Sequence, residues 1–158
     1  MRKLRVYADT SVFGGCLDEE FALDSRRFLK SVRNGRLILL MGEVIIRELD
    51  AAPEQILQLV ESIPPETIEP LVLTREVLEL RDAYLAEGIL HPKWTDDATH
   101  VAAATVARAD AIVSWNFKHI VRLDKMKAYN RVNLAQGYGI LTIISPKEVF
   151  SDDQDQDT

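Results

Sequence analysis

The sequence has only one cysteine, Cys16, among its 158 residues. A single cysteine cannot form an internal disulfide, and neither a C-x-x-C nor an H-E-x-x-H pattern is present to indicate a zinc site. We therefore expect Cys16 to be a small buried side chain in a protein of the reducing cytoplasm. The sequence also lacks an apolar run long enough for a transmembrane helix, and it shows no signal peptide. We expect no association with a membrane.

Basic residues are outnumbered, with 19 Lys and Arg against 25 Asp and Glu, which gives a formal net charge of −6. This balance argues against broad, nonspecific binding of nucleic acid. It does not exclude an enzyme that acts on nucleic acid, because clustered carboxylates hold cations that themselves meet phosphates. The length suits a single domain, which we assign to residues 1–150. Residues 151–158 contain four Asp and no base, and we expect them to form a disordered acidic tail.

Short apolar runs alternate with helical patterns along the chain, which indicates a parallel sheet with helices on both faces. The predicted strands are Leu4–Ala8, Leu37–Met41, Glu69–Leu73, Ala111–Ser114 and Leu141–Ile144. The predicted helices are Leu17–Arg33, Glu43–Ala51, Glu54–Ser62, Arg75–Glu87, Thr95 to about Arg108, Phe117–Asp124 and Met126–Gln136, with a turn or short helix at Pro146–Phe150.

The first apolar run ends on a carboxylate, Asp9, which is followed by two hydroxyl residues, Thr10 and Ser11. In open α/β sheets, functional residues lie at the carboxyl ends of the strands. Asp9 and Asn116 each follow a predicted strand and are therefore candidate site residues. An Asp in this position also caps turns through its side chain, so this segment alone leaves both roles open.

Glu48 lies on the apolar side of its predicted helix, next to Val44 and Ile45. A carboxylate that points towards a core needs an ion pair, hydrogen bonds or a metal. A metal site and an ion pair with a distant Arg both satisfy this requirement.

Asp96 and Asp97 begin the Ala-rich segment TDDATHVAAATVAR. Acids in the first turn of a helix interact favourably with the helix dipole, which accounts for one or both of them. The rest of this helix is apolar on almost every side and should be buried against the sheet. Periodicity does not identify which Asp points inward.

The remaining polar residues give weaker indications. The three His residues, His91, His100 and His119, have no spacing typical of a ligand set, and we expect each to be packed or exposed to solvent. Asp110 precedes a strand, so we expect it in a turn at the opposite edge of the sheet. Trp94 and Trp115 are predicted to pack in the core or an interface, with base stacking as the alternative.

Four segments occur in an order that resembles the PIN-domain family, and especially the VapC-type ribonucleases of toxin–antitoxin systems. They are VYADTSVFGG, EVIIRELD, TDDATHVAAATVARADAIVSWNFKHIV and GILTIISPKEV, and they span Val6–Val149. The resemblance implies a three-layer α/β/α sandwich around a central parallel sheet of about five strands. It also implies a cytoplasmic, Mg²⁺- or Mn²⁺-dependent endoribonuclease that forms a homodimer and is silenced by a cognate antitoxin.

The resemblance also implies roles for individual residues. Asp9, Glu48 and Asp97 match the acids that bind the metal, Thr10 or Ser11 matches the hydroxyl that supports the first of them, and Asp96 is a neighbour. Asn116 stands where many members carry a fourth acid, and it would offer an oxygen or bind a metal-bound water. This departure leaves open whether one or two metals bind, and whether the chain is a PIN-fold module that binds without cleaving.

A basic segment follows Asn116 directly and includes Lys118, Arg122 and Lys125. It would guide the RNA backbone towards the acidic pocket, or it forms a solvated helix face. A phosphatase related to the haloacid dehalogenases, with Asp9 as nucleophile, is a further alternative. That family needs a second Asp two residues after the first, and Ser11 occupies this position.

Overall fold

Five parallel strands form one sheet in the order β3-β2-β1-β4-β5 in a computed structural model, which describes residues 2–149. The strands are β1 (Leu4–Ala8), β2 (Leu37–Gly42), β3 (Ile68–Leu71), β4 (Ala111–Val113) and β5 (Ile143–Ile144). The central position of β1, between β2 and β4, explains why its sequence is apolar on both faces. The predicted parallel sheet of five strands is confirmed, and the predicted tail at residues 151–158 lies outside the described residues.

Seven α-helices connect the strands within the described residues. They are α1 (Thr10–Gly14), α2 (Ala22–Arg33), α3 (Glu43–Leu49), α4 (Glu54–Glu61), α5 (Arg75–Ala86), α6 (Thr95–Val106) and α7 (Leu123–Ala135). Single 3₁₀ turns occur at Gly15–Leu17, Pro65–Thr67, Pro92–Trp94 and Pro146–Glu148. Within residues 2–149, none of the helices has the length and apolar character needed to cross a membrane.

Alternate side chains of β1 point to the two helical layers. Tyr7 meets His100 of α6 on one face, and Val6 lies on the other face in a groove that also contains Ser31 of α2. The result is the three-layer α/β/α sandwich that the sequence predicts. Cys16 is fully buried, as expected for a small apolar side chain.

Two helix predictions were wrong, one in its start and one in its existence, because polar groups form turns there. The helix predicted from Leu17 begins at Ala22, since the Asp18 carbonyl accepts hydrogen bonds from the backbone N–H groups of Phe21 and Ala22. The Asp18 side chain also accepts one from the backbone N–H of Glu20, at 2.8 Å. The preceding residues form α1 and a 3₁₀ turn, which the two adjacent glycines concealed.

The helix predicted at Phe117–Asp124 is absent, and this segment forms turns up to the start of α7 at Leu123. The Asn116 carbonyl accepts hydrogen bonds from the backbone N–H groups of both Ile120 and Val121. The bond from Val121 spans five residues, one more than an α-helical bond, so the segment closes into a compact turn and does not continue as a helix. The other predicted helices and strands are confirmed, with ends displaced by at most three residues.

Asp110 lies at the amino edge of the sheet, as predicted. Its carboxylate accepts hydrogen bonds from the backbone N–H of Arg5, at 2.7 Å, and from the guanidinium of Arg2, at 2.8 Å. The residues that precede β1 are therefore held at the edge opposite Asp9.

Gly15 lies where any side chain would collide with the core. A β-carbon there would be 2.5 Å from Ser25 Oγ and 2.7 Å from Trp115 Nε1. These two atoms form a buried hydrogen bond of 2.7 Å, and the Trp115 ring stacks on Phe21 with a centroid distance of 4.2 Å. Trp115 is therefore a packing residue, in agreement with the sequence prediction.

Replacing Gly15 with Ala should lower the free energy of unfolding by about 1–3 kcal/mol, because the added methyl group overpacks this contact. Gly14→Ala is the matched control, since Gly14 has the same helical backbone and a methyl group added there would meet nothing within 4 Å. The control should be neutral or should stabilise by about 0.4–1 kcal/mol. Chemical denaturation measures both variants, and equal losses would contradict the close-packing role of Gly15.

Candidate acidic site at the carboxyl edge of the sheet

Asp9 lies directly after β1, and its backbone N–H donates a hydrogen bond to the Val113 carbonyl at the end of β4. Its side chain is buried, with 4% of the residue exposed. Ser11 Oγ donates to Asp9 Oδ1 at 2.5 Å, and Ser114 Oγ donates to Asp9 Oδ2 at 2.7 Å. Burial raises the pKa of Asp9, although the positive charge of His100 and the two serine hydroxyls oppose this rise. Hydrogen bonds therefore fix the carboxylate in position, but its neighbours offset only part of the effect of burial on its pKa.

The same two serines fix the chain that follows β4. Ser11 Oγ accepts a hydrogen bond from the backbone N–H of Trp115, and Ser114 Oγ accepts one from the backbone N–H of Asn116, both at 2.9 Å. The carboxyl ends of β1 and β4 are therefore joined through Asp9. Of the two hydroxyl residues that the resemblance offers as the support of Asp9, Ser11 makes the contact.

Glu48 of α3 is held by two side chains from distant segments. Thr10 Oγ1 donates to Glu48 Oε1 at 2.6 Å, and His100 Nε2 lies 2.7 Å from the same oxygen. The other ring nitrogen, His100 Nδ1, lies 2.7 Å from the Tyr7 hydroxyl. The partner of Glu48 is thus a histidine, whereas the alternative raised from the sequence was an arginine.

The Glu48–His100 pair is electrostatically coupled. Burial lowers the pKa of His100, but the hydrogen bond to Glu48 and the negative charges of Asp9, Glu48 and Asp97 together raise it above its ordinary value. Burial raises the pKa of Glu48, but the hydrogen bond and charge of His100 outweigh this, so the pKa is lowered. Both directions favour an imidazolium–carboxylate pair, in which both ring nitrogens of His100 donate hydrogen bonds.

Asp97, in the first turn of α6, points towards the cleft. Its Oδ2 lies 2.9 Å from His119 Nδ1, and 21% of its side chain is exposed. Asp96 lies at the exposed rim of the cleft, where its carboxylate meets the exposed guanidinium of Arg47 at 2.9 Å. An exposed pair of this kind contributes little to stability. Asp97 is therefore the one of the two acids that points inward, which periodicity alone did not identify.

Asn116 follows β4, but its side-chain oxygen has a structural partner. Asn116 Oδ1 accepts a hydrogen bond from the backbone N–H of His119 at 2.8 Å, which closes the turn. The His119 carbonyl in turn accepts one from the Tyr129 hydroxyl at 2.9 Å. The oxygen that the resemblance assigns to a metal or water therefore also supports the residue that holds Asp97.

An open cleft of about 500 Å³ lies over these groups. Acids and bases both contribute to its walls, and Asp9 lies buried outside the lining. The lining residues are Glu48, Lys93, Trp94, Asp96, Asp97, Asn116, Lys118 and His119.

Within residues 2–149, no group of three or more His, Cys, Asp or Glu side chains has the arrangement of a metal site. The donor chemistry nevertheless fits a hard divalent cation, because carboxylate oxygens and retained water are what Mg²⁺ prefers. Among the described residues, Glu48 Oε2 and Asp97 Oδ1 accept no hydrogen bond, and each Asp9 oxygen accepts only one. Free acceptor capacity therefore remains on all three carboxylates.

Three basic residues are predicted to contact RNA, and their surroundings in the structure differ. Lys118 lines the cleft. Arg122 forms an exposed pair with Asp124 at 2.6 Å, and Lys125 Nζ donates to the Ile89 carbonyl at 2.5 Å.

Sequence reasoning missed His100 and His119, which it treated as packed or exposed residues without a role in the site. His100 does sit three residues after Asp97, on a neighbouring position of the same helix, which is the one local signal that could have linked it to the acids. His91, by contrast, is exposed and accepts a hydrogen bond from the backbone N–H of Lys93.

No protein-family model matches the sequence, and no curated protein matches it. Among solved structures, the chain is similar to one from the crystal structure of VapBC2 from Rickettsia felis bound to a DNA fragment from their promoter. The TM-score is 0.58 at 12% sequence identity, and the match covers 90% of this chain and 98% of that chain. The two chains share a fold. This agrees with the PIN-like sandwich predicted from the sequence.

The Glu48–His100 pair predicts a dependence of stability on pH. A protonated His100 stabilises the fold fully below its ordinary pKa of about 6.5, and this contribution is lost as the pH rises through the raised pKa of the folded state. Glu48→Gln keeps an acceptor oxygen but removes the charge. We expect the stability advantage of the wild type over Glu48→Gln to be largest between about pH 4.5 and pH 6.5, where both members of the pair are charged, and to shrink above and below this range.

Chemical denaturation in chelator, across this pH range, measures the difference between the two proteins. Parallel pH profiles for wild type and Glu48→Gln would contradict the ion pair.

Proposed function

We propose that the chain is a metal-dependent endoribonuclease that hydrolyses RNA phosphodiester bonds at the acidic cleft. The observation that carries the proposal is the gathering of Asp9, Glu48 and Asp97 at one edge of the sheet, where neighbouring cations balance only part of their negative charge. Within residues 2–149, none of these three carboxylates forms a salt bridge with Lys or Arg. Acids that serve only stability are normally paired in such surroundings.

Electrostatics supports a cation as the missing partner. The charge of Asp97 raises the pKa of Asp9, and both charges raise the pKa of His100, so the three acids act on a common region. One imidazolium does not balance three carboxylates, and a divalent cation would relieve the remaining repulsion. When bound, Mg²⁺ or Mn²⁺ would activate a water and neutralise charge on the phosphate.

Neighbouring side chains orient the three carboxylates. Asp9 is fixed by two serines, Glu48 by Thr10 and His100, and Asp97 by His119. Partners of this kind orient the groups that hold a metal and tune their basicity. Asp9, Glu48 and Asp97 would hold the ion, and Asn116 would contribute at most a neutral oxygen. Three charged ligands without a fourth favour a site for a single metal ion.

The biological setting we propose is a toxin–antitoxin pair in the cytoplasm, with this chain as the toxin, a cognate antitoxin as its protein partner and a homodimer as its assembly. The structural neighbour supports this setting because it comes from a VapBC2 complex. A module that binds RNA without cleaving it is the second candidate, and the use of Asn116 Oδ1 within the turn favours it.

Asp97→Asn should lower the rate of RNA cleavage at least about 100-fold, because it removes a charged group that faces the cleft. Asp96→Asn is the matched control from the adjacent residue, and it should retain most of the activity because Asp96 is exposed and paired with Arg47. Cleavage of a labelled single-stranded RNA in Mg²⁺ or Mn²⁺ measures both. Equal losses would overturn the assignment of Asp97.

Divalent metal should stabilise the fold, because only the native state brings the acids together. At 100 times its dissociation constant, Mn²⁺ should raise the melting temperature by roughly 5–10 °C. Asp9→Asn and Glu48→Gln should reduce this rise, whereas Glu43→Gln, an exposed acid on the same helix as Glu48, should preserve it.

Calorimetry of Mn²⁺ binding and RNA cleavage with and without chelator separate the two candidate functions. Binding of Mn²⁺ without cleavage would favour the binding module. An unchanged melting temperature in Mn²⁺ would contradict the metal site itself.

A further inference from the structure

Trp94 occupies a different environment from the other tryptophan of the chain. Trp115 is buried, stacked on Phe21 and hydrogen-bonded to Ser25. Trp94 is half-buried at the wall of the cleft, and its indole N–H has no hydrogen-bond partner among residues 2–149. An amphipathic ring at a polar cleft has a part of its surface free for contact with a ligand.

The Trp94 ring is fixed relative to the acidic site. It precedes α6 directly and lies three residues before Asp97 in the sequence. Its centroid is 4.4 Å from that of His119, whose Nδ1 meets Asp97. A molecule that rests on Trp94 would therefore be held at a defined distance from the carboxylates.

The ammonium groups of two lysines lie over this ring. Lys93 Nζ is 5.0 Å and Lys118 Nζ is 5.7 Å from the centroid of the Trp94 ring. The lining of the cleft also includes Glu48, Asp96 and Asp97, so the cleft contains acids as well as the two bases near the ring. A polyanion would enter over the ring and the two lysines, where ammonium groups meet phosphates and the indole meets a base.

We propose that Trp94, between Lys93 and Lys118, is a base-stacking platform through which the cleft binds single-stranded RNA. The proposal rests on the ribonuclease function proposed above and assigns Trp94, Lys93 and Lys118 as the residues that position its substrate. A duplex keeps the faces of its bases covered by neighbouring bases, so only an unpaired nucleotide can stack on an aromatic side chain. The lysines contribute contacts to the backbone that depend on salt but not on sequence.

The probe is a 12-nucleotide single-stranded RNA without self-complementarity, titrated at low salt in chelator so that it stays intact. Tryptophan fluorescence reports binding, because Trp94 is the more exposed of the two tryptophans. We expect the RNA to quench the emission of the wild type, and a duplex of the same sequence to bind at least tenfold more weakly. Circular dichroism verifies that each variant is folded.

Trp94→Leu should weaken binding of the single strand about tenfold, measured by polarisation of a label on the RNA. Trp94→Phe, which keeps an aromatic face, should recover part of the affinity. Lys118→Ala should weaken binding severalfold and reduce its dependence on salt. Lys3→Ala is the control, because Lys3 is an exposed lysine that precedes β1 at the opposite edge of the sheet.

Wild-type affinity in Trp94→Leu, or equal binding of duplex and single strand, would overturn the platform. Cleavage in Mg²⁺ is measured separately on the same proteins. RNA that binds through Trp94 without being cleaved would support the platform and contradict the ribonuclease. If Trp94→Leu cleaves RNA with an unchanged KM, the result would support the ribonuclease and contradict the platform.

Discussion

The buried contact among Tyr7, His100 and Glu48 is the interaction on which the rest of the site depends. It joins the central strand, α6 and α3 through two hydrogen bonds of 2.7 Å on one imidazole ring. Burial lowers the pKa of His100, and the carboxylates of Asp9, Glu48 and Asp97 together raise it above its ordinary value, so they favour the charged form of the ring. The charged groups of the site therefore influence one another, and each acid is held in position by groups from other segments of the chain.

The fold was largely predictable because its signals are local. Apolar runs bounded by turn residues identified all five strands, and the strand ends identified Asp9 and Asn116 as candidate site residues. Local patterns failed where side chains compete for backbone groups, as at Asp18 and in the turn after Asn116. Helical periodicity does not register such competition, so it extended helices through both places.

The candidate site was predictable in its acids but not in the partners of those acids. A carboxylate on an apolar helix face is visible in the sequence, as for Glu48. The partner that compensates its charge is 52 residues away, and no spacing rule connects them. Thr10 and Ser11 show the same limit, because adjacent hydroxyls turn to different carboxylates, Glu48 and Asp9, according to the path of α1.

The start of α6 carries three parts of the site within seven residues, with Trp94 before the helix, Asp97 in its first turn and His100 in its second. Each residue of an α-helix is rotated by about 100° from the one before it. Inserting or deleting a single residue between Trp94 and His100 would turn at least one of the three away from its neighbours, whatever residue was added or lost. The length of this stretch is thus constrained more tightly than its composition, and sequence variation there should consist of substitutions without gaps.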